Sequence, residues 1–442
     1  MSQAFKKVLV ANRGEIAMRI FRACHDLGLQ TIAIYSNEDV YSLFRTAADE
    51  SYLIGENESP LGAYLDIPRI IELAKKHGAD AIHPGYGFLS ENADFARACE
   101  AAGIKFIGPP SQILELMGDK LSAKQIAVAC GVPTTPGTTE PLKSREAAQK
   151  LAMEFGFPVI LKAAAGGGGR GMRRCDTVEE VGTNFDLVKA EAKKAFGNDD
   201  IFMEKFLVEP KHIEVQVLGD EHGNVVHLFE RDCSLQRRYQ KVVEFSPAFS
   251  VDKKIRQALY EDAVKIAKHV GYVNAGTVEF LMDRDKNFYF MEMNTRLQVE
   301  HPVSELVTGK DIVKWQIRIA AGVELDCTQA DIKVRGAAIE CRINAGGVGK
   351  VNFLHIPSGP WVRFDTFLYQ GYEVPPFYDS MLGKMIVFSS TREEAIRKMQ
   401  SALCELVIGG LPNNIEDQID IIRDPVFHSG DYYTDFIKNR EG

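Results

Sequence analysis

The chain has 442 residues, 45% hydrophobic side chains and a formal net charge of −9, which predict an ordinary globular protein of about two to four domains. The acidic balance leaves no basic footprint and argues against nucleic acid as the main partner. The N-terminus lacks a signal-peptide pattern, no apolar run approaches about 20 residues, and the eight scattered cysteines lack zinc spacing, so we expect a cytoplasmic protein with no membrane span.

Residues 7–110 alternate short apolar runs with amphipathic stretches, such as Lys7–Ala11 and Glu15–Leu27. This alternation predicts βαβ units and a parallel sheet. The first turn, Ala11-Asn-Arg-Gly-Glu15, lacks the G-x-G-x-x-G pattern, so a dinucleotide site there is not supported. The turn-rich loop His83–Asn92 follows a predicted strand and either borders a site or simply connects two elements.

A second α/β unit begins after Pro110, where Met117-Gly-Asp-Lys120 predicts the start of a helix. Further on, a strand ending in Lys162 is followed by a glycine run at 165–171 and a long polar helix, Val178–Phe196. Four consecutive glycines cannot pack as a core, but they let backbone N–H groups approach a phosphate closely. A mobile cover over nucleotide phosphates and a flexible surface loop are both open interpretations.

Two lysines, Lys120 and Lys162, and the segment Glu204-Lys-Phe-Leu207 have the residue types of a nucleotide pocket, although each lysine alone is typical of a solvated surface. The segment His212-Ile-Glu-Val-Gln216 alternates strictly, so its polar residues share one face of a predicted strand. The segment Gln236-Arg-Arg-Tyr-Gln-Lys241 concentrates three cations and two amides. It is suited to an anion, with a solvated loop as the alternative.

The turn residues Asp283–Asn287 separate two strand-like runs and predict a β-hairpin. A four-residue loop would pair Asp283 with Phe288 and place Glu279 opposite Glu292. Facing carboxylates repel each other unless a cation lies between them, and Mg²⁺ is the obvious candidate. A hairpin with one wet, charged face is the alternative.

Just after this hairpin, alternate residues of Arg296-Leu-Gln298-Val-Glu300 point together. An anion bound by Arg296 and Gln298 would lie within proton-transfer reach of Glu300. This arrangement suits a general base.

Taken together, these residues resemble the biotin carboxylase subunit of biotin-dependent carboxylases, a member of the ATP-grasp superfamily. The resemblance covers essentially the whole chain, and several of its motifs are long and rarely shared by other ATP-grasp ligases. The motifs are Val10–Ile16, His83–Asn92, Met117–Lys120, Gly166–Met172, Arg231–Arg238, Glu292–Pro302, Glu340–Ala345 and Tyr378–Lys384.

The resemblance implies an α/β and α+β fold in three parts. These are a Rossmann-like (pre-ATP-grasp) domain at 1–115, an ATP-grasp domain at 116–330 and an α+β biotin carboxylase C-terminal domain at 331–442. A mobile glycine-loop lid would span about 134–204. A helix that starts at Thr391-Arg-Glu-Glu394, a capping-box sequence, belongs to the last part.

The resemblance also implies the ligands of each residue set. ATP would be bound by Lys120, Lys162, Gly167, Gly168, Gly169, Glu204, Lys205, Leu207, His212 and Gln236. Mg²⁺ or Mn²⁺ would be bound by Glu279, Glu292 and Asn294, and bicarbonate by Lys241, Arg296, Gln298 and Val299. Glu300 would take the proton of bicarbonate, carboxyphosphate would form, and Arg342 would stabilise the enolate of biotin, with Lys241 and Arg296 also catalytic.

As partners, the resemblance implies a biotin carboxyl carrier protein and carboxyltransferase subunits, most naturally within acetyl-CoA carboxylase. The chain shows no Met-Lys-Met biotin-attachment signature, so we expect it to be a separate subunit. The resemblance also implies a homodimer, with Arg19 and the Asp379 region near the interface. A different acceptor, or a degenerate nucleotide-binding regulatory paralogue, remains an alternative.

Three departures from the family pattern stand out. Tyr239 replaces a usual His, Phe245-Ser246 replaces a usual Glu-Ala, and the stretch after Ala345 is shortened to Gly346–Val348. We expect the first two changes to remove polar groups near the nucleotide and bicarbonate. Weaker ATP binding, an altered acceptor and no measurable effect are the open outcomes.

Overall fold

The computed structural model describes residues 5–56, 58–163 and 171–441 of the chain. The first part contains a parallel sheet in the order β3-β2-β1-β4-β5. Its strands are β1 (Lys7–Val10), β2 (Gln30–Tyr35), β3 (Glu50–Leu53), β4 (Ala81–His83) and β5 (Lys105–Phe106). The helices up to residue 129 are α1 (Gly14–Asp26), α2 (Leu43–Ala47), α3 (Pro60–Leu65), α4 (Ile67–Lys76), α5 (Ala93–Ala101), α6 (Ser111–Gly118) and α7 (Lys120–Ala129).

Both faces of this sheet are buried. Val8 and Val10 pack into one core cluster, whereas Leu9, which points to the opposite face, packs into another. Burial on two sides is typical of parallel sheets in α/β proteins. The predicted βαβ pattern and its Rossmann-like sheet are confirmed.

A small antiparallel sheet in the order β7-β6-β8 follows. Its elements are α8 (Arg145–Phe155), β6 (Val159–Ala163), β7 (Met172–Cys175), α9 (Val178–Phe196) and β8 (Ile201–Lys205). Helix α9 has the predicted bounds, because Thr177 accepts a hydrogen bond from the Glu180 N–H and caps its first turn. These elements share a hydrophobic core of their own, which includes Leu161 and Phe185.

A large antiparallel sheet in the order β13-β12-β9-β10-β11-β14-β19-β17 forms the rest of the framework. Its strands are β9 (Lys211–Gly219), β10 (Val225–Arg237), β11 (Gln240–Ser246), β12 (Asn274–Met282), β13 (Phe288–Asn294), β14 (Ala337–Asn344), β17 (Val362–Thr366) and β19 (Met381–Ser389). Short strands β15 (Gly349–Lys350), β16 (Phe353–His355), β18 (Glu373–Val374) and β20 (Val407–Gly409) form two small ladders.

The helices around this sheet are α10 (Lys253–His269), α11 (His301–Thr308), α12 (Ile312–Ala320), α13 (Arg392–Glu405), α14 (Ile415–Arg423), α15 (Pro425–Ser429) and α16 (Phe436–Glu441). Helix α13 begins where predicted, with the Thr391 hydroxyl accepting from the Glu394 N–H at 3.2 Å. None of the helices in the described ranges combines the length and apolar character needed to cross a lipid bilayer.

Candidate active site

A cavity of about 820 Å³ lies between the three sheets. The sequence-predicted residues that line it are Lys120, Lys162, Glu204, Lys205, Leu207, His212, Gln236, Lys241, Glu279, Glu292, Asn294, Arg296, Gln298, Val299 and Arg342. Glu300 is fully buried beside this cavity and contacts it through Lys241 and Arg342. The predicted phosphate-binding Gly167, Gly168 and Gly169 lie outside the described residues.

Lys241 is at the centre of the charged network. Its Nζ donates to Glu214 Oε2 at 2.5 Å, Glu279 Oε1 at 2.9 Å and Glu300 Oε1 at 2.7 Å. Burial alone would lower the pKa of Lys241, but the three carboxylates raise it well above its usual range. The ammonium therefore stays charged. It connects β11, which carries Lys241, to β9, to β12 and to the start of α11.

Glu214 also contacts a second cation, Arg231, to which the sequence alone assigned no role. Arg231 is fully buried and donates through Nε to Glu214 Oε1 at 2.5 Å. Its Nη1 and Nη2 donate to Gln216 at 2.8 Å and Thr277 at 3.1 Å. The alternation of residues 212–216 was a signal for a shared polar face, but only the pairing of Arg231 with Glu214 across β10 and β9 shows that this face is buried.

The predicted hairpin is present, and Glu279 lies opposite Glu292 as expected. The predicted register at the turn was wrong by one residue, since Met282 rather than Asp283 pairs with Phe288. A β-bulge after Glu279 adds one residue to the facing strand and restores the opposition. The two carboxylates therefore face each other because of this bulge, which the alternation of residues does not predict.

These two carboxylates differ sharply in their surroundings. Glu279 Oε1 accepts from Asn294 at 2.7 Å and from Gln298 at 2.9 Å, in addition to Lys241. For Glu292, the nearest cation among the described residues is Lys120, at 3.7 Å. Burial and then the charge of Glu279 raise the pKa of Glu292, whereas Lys241 and His212 overcome burial and lower that of Glu279.

A divalent cation fits this arrangement. Glu292 is a partly buried carboxylate that repels its neighbour, and a cation between Glu279 and Glu292 would remove that repulsion. The Oδ1 atom of Asn294 adds a third hard oxygen to the set, the donor type that Mg²⁺ prefers. The donor chemistry of Glu279, Glu292 and Asn294 therefore suits Mg²⁺ or Mn²⁺.

Glu300 is held between two cations. Its Oε1 accepts from Lys241 and its Oε2 from Arg342 Nη2 at 2.9 Å. Burial alone would raise the pKa of Glu300, but Lys241, Arg342 and Arg231 lower it well below its usual range. In this state Glu300 is an ionised carboxylate.

Arg296 lies at the rim of the same network. Its Nε donates to Glu91 Oε2 at 2.9 Å, and its Nη1 donates to Gln298 Oε1 at 2.9 Å. Glu91 belongs to the loop at 83–92, so this loop does border the site. The main-chain carbonyl of Val299 accepts from the buried Lys384 at 2.5 Å, which fixes the segment that carries Glu300.

Lys162, Glu204 and Lys205 belong to the small sheet and form the nucleotide-like end of the cavity. Glu204 accepts from Lys162 at 2.5 Å and from Lys124 at 3.0 Å. Burial would raise the pKa of Glu204, but these lysines lower it to about 2. The Lys205 ammonium donates to the carbonyls of Gly156 and Phe157 at 3.0 and 2.8 Å, so its side chain joins β8 to the segment between α8 and β6.

Gln236 and His212 connect the nucleotide-like end to the metal-like end. The Gln236 amide lies 2.9 Å from His212 Nδ1, and His212 Nε2 lies 2.9 Å from Glu279 Oε2. Burial alone would lower the pKa of His212, but Glu279 raises it above its usual value. A change at Gln236 can therefore reach the metal-side carboxylate through one imidazole ring.

The departures from the family pattern fall in different places. Tyr239 lies on the cavity rim, is 77% exposed and has φ +66°, in a tight turn shared with Arg238 at φ +52°. Phe245 is 2% exposed and packs in the hydrophobic core. The expectation that Phe245 lies near the ligands was therefore wrong. The shortened loop packs against Pro412, whose carbonyl accepts from the Gly346 N–H at 2.7 Å.

Three family models match the chain in succession. Residues 4–114 match the biotin carboxylase N-terminal domain, residues 119–328 the ATP-binding domain of the carbamoyl-phosphate synthase L chain, and residues 340–439 the biotin carboxylase C-terminal domain. The chain belongs to the biotin carboxylase family. It is an ATP-dependent carboxylase, and the three-part biotin carboxylase architecture expected from the sequence is confirmed.

Its similarity to other members of the biotin carboxylase family extends over nearly the whole chain. It is 49% identical over 445 residues to the biotin carboxylase of Pseudomonas aeruginosa, covering 99% of each chain. It is 50% identical over 442 residues to the 2-oxoglutarate carboxylase small subunit of Hydrogenobacter thermophilus, covering 98% of this chain and 93% of that one.

Solved structures of the biotin carboxylase family superpose closely on the chain. The Campylobacter jejuni biotin carboxylase, solved as a β,γ-ATP complex, has a TM-score of 0.96 at 47% identity and 99% coverage of each chain. The biotin carboxylase domain dimer of the Hydrogenobacter thermophilus enzyme, solved with MgADP, ADP and bicarbonate, has a TM-score of 0.95 at 49% identity. It covers 99% of this chain and 98% of that chain.

Proposed function

We propose that the protein transfers a carboxyl group from bicarbonate to biotin on a carrier protein, at the expense of ATP. The observation that carries this proposal is the Lys241 network, in which one ammonium contacts Glu279 on the metal side and Glu300 on the base side. Two related structures, one with a β,γ-ATP ligand and one with MgADP and bicarbonate, support the same chemistry.

Residues that line the cavity bind the nucleotide in this proposal. Lys120 and Lys162 contact phosphate oxygens, and Glu204, Lys205 and Leu207 lie against adenine and ribose, with His212 and Gln236 beside them. Glu279, Glu292 and Asn294 bind Mg²⁺ or Mn²⁺. When bound, the metal neutralises phosphate charge during phosphoryl transfer. The glycines at 167–169, which lie outside the described residues, are proposed to contact the phosphates.

Glu300 acts as the general base in the first step. Lys241 and Arg342 keep its basicity low in the resting site, since both cations favour the ionised carboxylate. Bicarbonate that binds Lys241, Arg296, Gln298 and Val299 offers the cations another anion, so the basicity of Glu300 rises when its substrate is present. The O–H proton of bicarbonate passes to Glu300, and the freed oxygen attacks the γ-phosphorus to give carboxyphosphate and ADP.

Arg342 serves the second step. Carboxyphosphate separates into CO₂ and phosphate, and the phosphate removes the ureido N–H proton of biotin. The resulting charge on the ureido oxygen needs a fixed cation, which Arg342 supplies. The nitrogen then attacks CO₂ to give carboxybiotin.

A lid movement accompanies this chemistry in our proposal, with domains at 1–115, 116–330 and 331–442 and a lid at about 134–204. The separate core of the small sheet supports a unit that moves as one body. Its attachments to the rest of the site include isolated bridges, such as Thr134 with Phe290. Closure would exclude water from carboxyphosphate.

We propose that the carboxyl group passes to acetyl-CoA through separate carboxyltransferase subunits, the acceptor and partners that the sequence resemblance implies. A 2-oxo acid acceptor is the second candidate, favoured by the 50% identity to a 2-oxoglutarate carboxylase subunit. We also propose a homodimer, in line with the dimeric relative. Arg19 is buried against Glu305 and Asp311 at 2.7 Å each, so its effect on an interface would be indirect.

Radiolabelled bicarbonate tests the proposal. With ATP, Mg²⁺ and a biotinylated carrier protein, we expect the carrier to become labelled. The same carrier protein without biotin should stay unlabelled. Adding carboxyltransferase subunits for acetyl-CoA or for a 2-oxo acid then separates the two candidates by which acceptor removes the label. A carrier that stays unlabelled would contradict the proposed function.

A further inference from the structure

Two buried glutamates lie behind Arg342 and take no part in the steps above. Glu244 on β11 and Glu340 on β14 face each other directly in the antiparallel ladder. Both are fully buried. Residues directly opposite in such a ladder have Cβ atoms about 5 Å apart, so two ionised carboxylates here would repel strongly.

The two side chains differ in their partners. Glu244 Oε1 accepts from Arg342 Nε at 2.6 Å. Glu244 Oε2 and both carboxyl oxygens of Glu340 accept no hydrogen bond from the described residues. A buried carboxylate without a donor is costly, and such a group keeps its proton instead. Burial and the neighbouring Glu244 raise the pKa of Glu340 well above its usual range, against the lowering effect of Lys384.

Glu244 differs from Glu340 in the size of its pKa shift. Burial raises its pKa to about 7, with Arg342 lowering it and Glu300 raising it. The titratable and charged groups that act on Glu244 or its partner are Lys241 on β11, Cys233 on β10, Glu340, Cys341 and Arg342 on β14, Lys384 on β19, Tyr86 in the loop after β4 and Glu300 at the start of α11.

One guanidinium connects this pair to the base. Arg342 donates through Nε to Glu244 and through Nη2 to Glu300 at 2.9 Å. Both nitrogens are bonded to the same carbon, so the two carboxylates lie side by side on one guanidinium. One positive charge between two carboxylates favours a proton on one of them.

We propose that Glu244 receives the proton that Glu300 takes from its substrate, and that Glu340 is a positioning residue that stays protonated beside it. The proton transfer rests on the proposed function. The O–H bond on Glu300 breaks and a new one forms on Glu244, so Glu300 regains its carboxylate. Glu244 becomes neutral, so Arg342 balances one carboxylate, Glu300, instead of two when the oxyanion of the next step forms. The proton leaves Glu244 to water when the products depart.

Substitutions at Glu244 test the transfer. Turnover in the wild type should rise with pH through about 7, because only ionised Glu244 accepts the proton. Glu244→Gln should lower kcat by about 100-fold and remove this acid limb, while the KM for ATP stays within about threefold. Glu244→Asp should restore part of kcat and the limb, and the exposed Glu393→Gln on α13 is the control. A Glu244→Gln enzyme with kcat within threefold of wild type and the limb intact would overturn the proposal.

Infrared spectroscopy tests the state of Glu340 without turnover. The wild type should show the C=O stretch of a buried protonated carboxyl group at about pH 8, and Glu340→Gln should lack it. Glu340→Gln should change kcat by less than about threefold, because the amide keeps the shape and the neutral charge of the protonated acid, whose oxygens have no hydrogen-bond partner among the described residues. Absence of the band in the wild type would overturn the role of Glu340. A wild type without bicarbonate-dependent ADP release would instead overturn the proposed function, and the band would still report on Glu340.

Discussion

The ammonium nitrogen of Lys241 donates to Glu300 Oε1 at 2.7 Å and also to Glu279 Oε1 at 2.9 Å. The carboxylate proposed to bind metal and the one proposed to act as base therefore share one counter-ion. A ligand that draws Lys241 away from either carboxylate changes the pKa of both. This shared cation links the nucleotide half of the site to the bicarbonate half.

Replacing Glu300 by Gln should abolish bicarbonate-dependent ATP cleavage while ATP affinity stays nearly unchanged. The amide keeps the shape of the side chain but cannot take a proton, so we expect kcat to fall by about 100- to 10,000-fold. ADP release and a nucleotide-binding titration measure the two quantities separately. Retained turnover would refute the assignment of Glu300 as the base.

Replacing Glu292 by Gln should raise the Mg²⁺ concentration needed for half-maximal turnover by about tenfold or more, because one charged oxygen ligand is lost. Binding of nucleotide without metal should change by less than about threefold. The substitution also removes the repulsion between Glu292 and Glu279, so the melting temperature of the metal-free protein should not fall. An unchanged Mg²⁺ requirement would exclude Glu292 as a ligand.

Acid should weaken the small sheet through Glu204. Its folded-state pKa of about 2 lies below the ordinary value of 4.5, so its contribution to stability is present above that value and is lost as pH falls towards 2. Between about pH 6 and pH 4 the free energy of unfolding should fall by about 1 kcal/mol from this group.

Urea unfolding at these two pH values measures the effect. Glu204→Gln should reduce the pH dependence by that amount, whereas Glu154→Gln, at an exposed position on α8, should leave it unchanged. Equal pH dependence in wild type and Glu204→Gln would contradict the shifted pKa.

How far the sequence predicts this site depends on which contacts are local. An assumed four-residue loop placed Glu279 opposite Glu292, although the bulge that makes this true is not visible in the pattern. The partners of Arg231 were missed, because they come from strands that meet only in the folded sheet. Glu244 was missed for the same reason, since its partner Glu340 is 96 positions away in the chain, at 340 against 244.

The departures from the family pattern show the same limit. Sequence comparison marks Tyr239 and Phe245 as equally unusual, but only the fold shows that Tyr239 borders the cavity while Phe245 is part of the core. The bounds of α9 were predicted fully, because its cap and its length are local properties. Burial and strand pairing are not local properties.

Tyr239→His should lower the KM for ATP by about threefold without changing kcat. The side chain is 77% exposed on the cavity rim, where an imidazole can add a hydrogen bond or positive charge towards an anionic nucleotide. Its exposure predicts a change in unfolding free energy of less than about 0.5 kcal/mol. Tyr41→His, at a residue 81% exposed and not among those lining the cavity, is the matched control. An unchanged KM would exclude a nucleotide contact at this position.

The acceptor dependence of ADP release tests the central claim most directly. With ATP, Mg²⁺ and bicarbonate present, free biotin should stimulate ADP release, and omitting bicarbonate should abolish the stimulation. Stimulation by other small acceptors but never by biotin would contradict the proposed carboxylation of biotin.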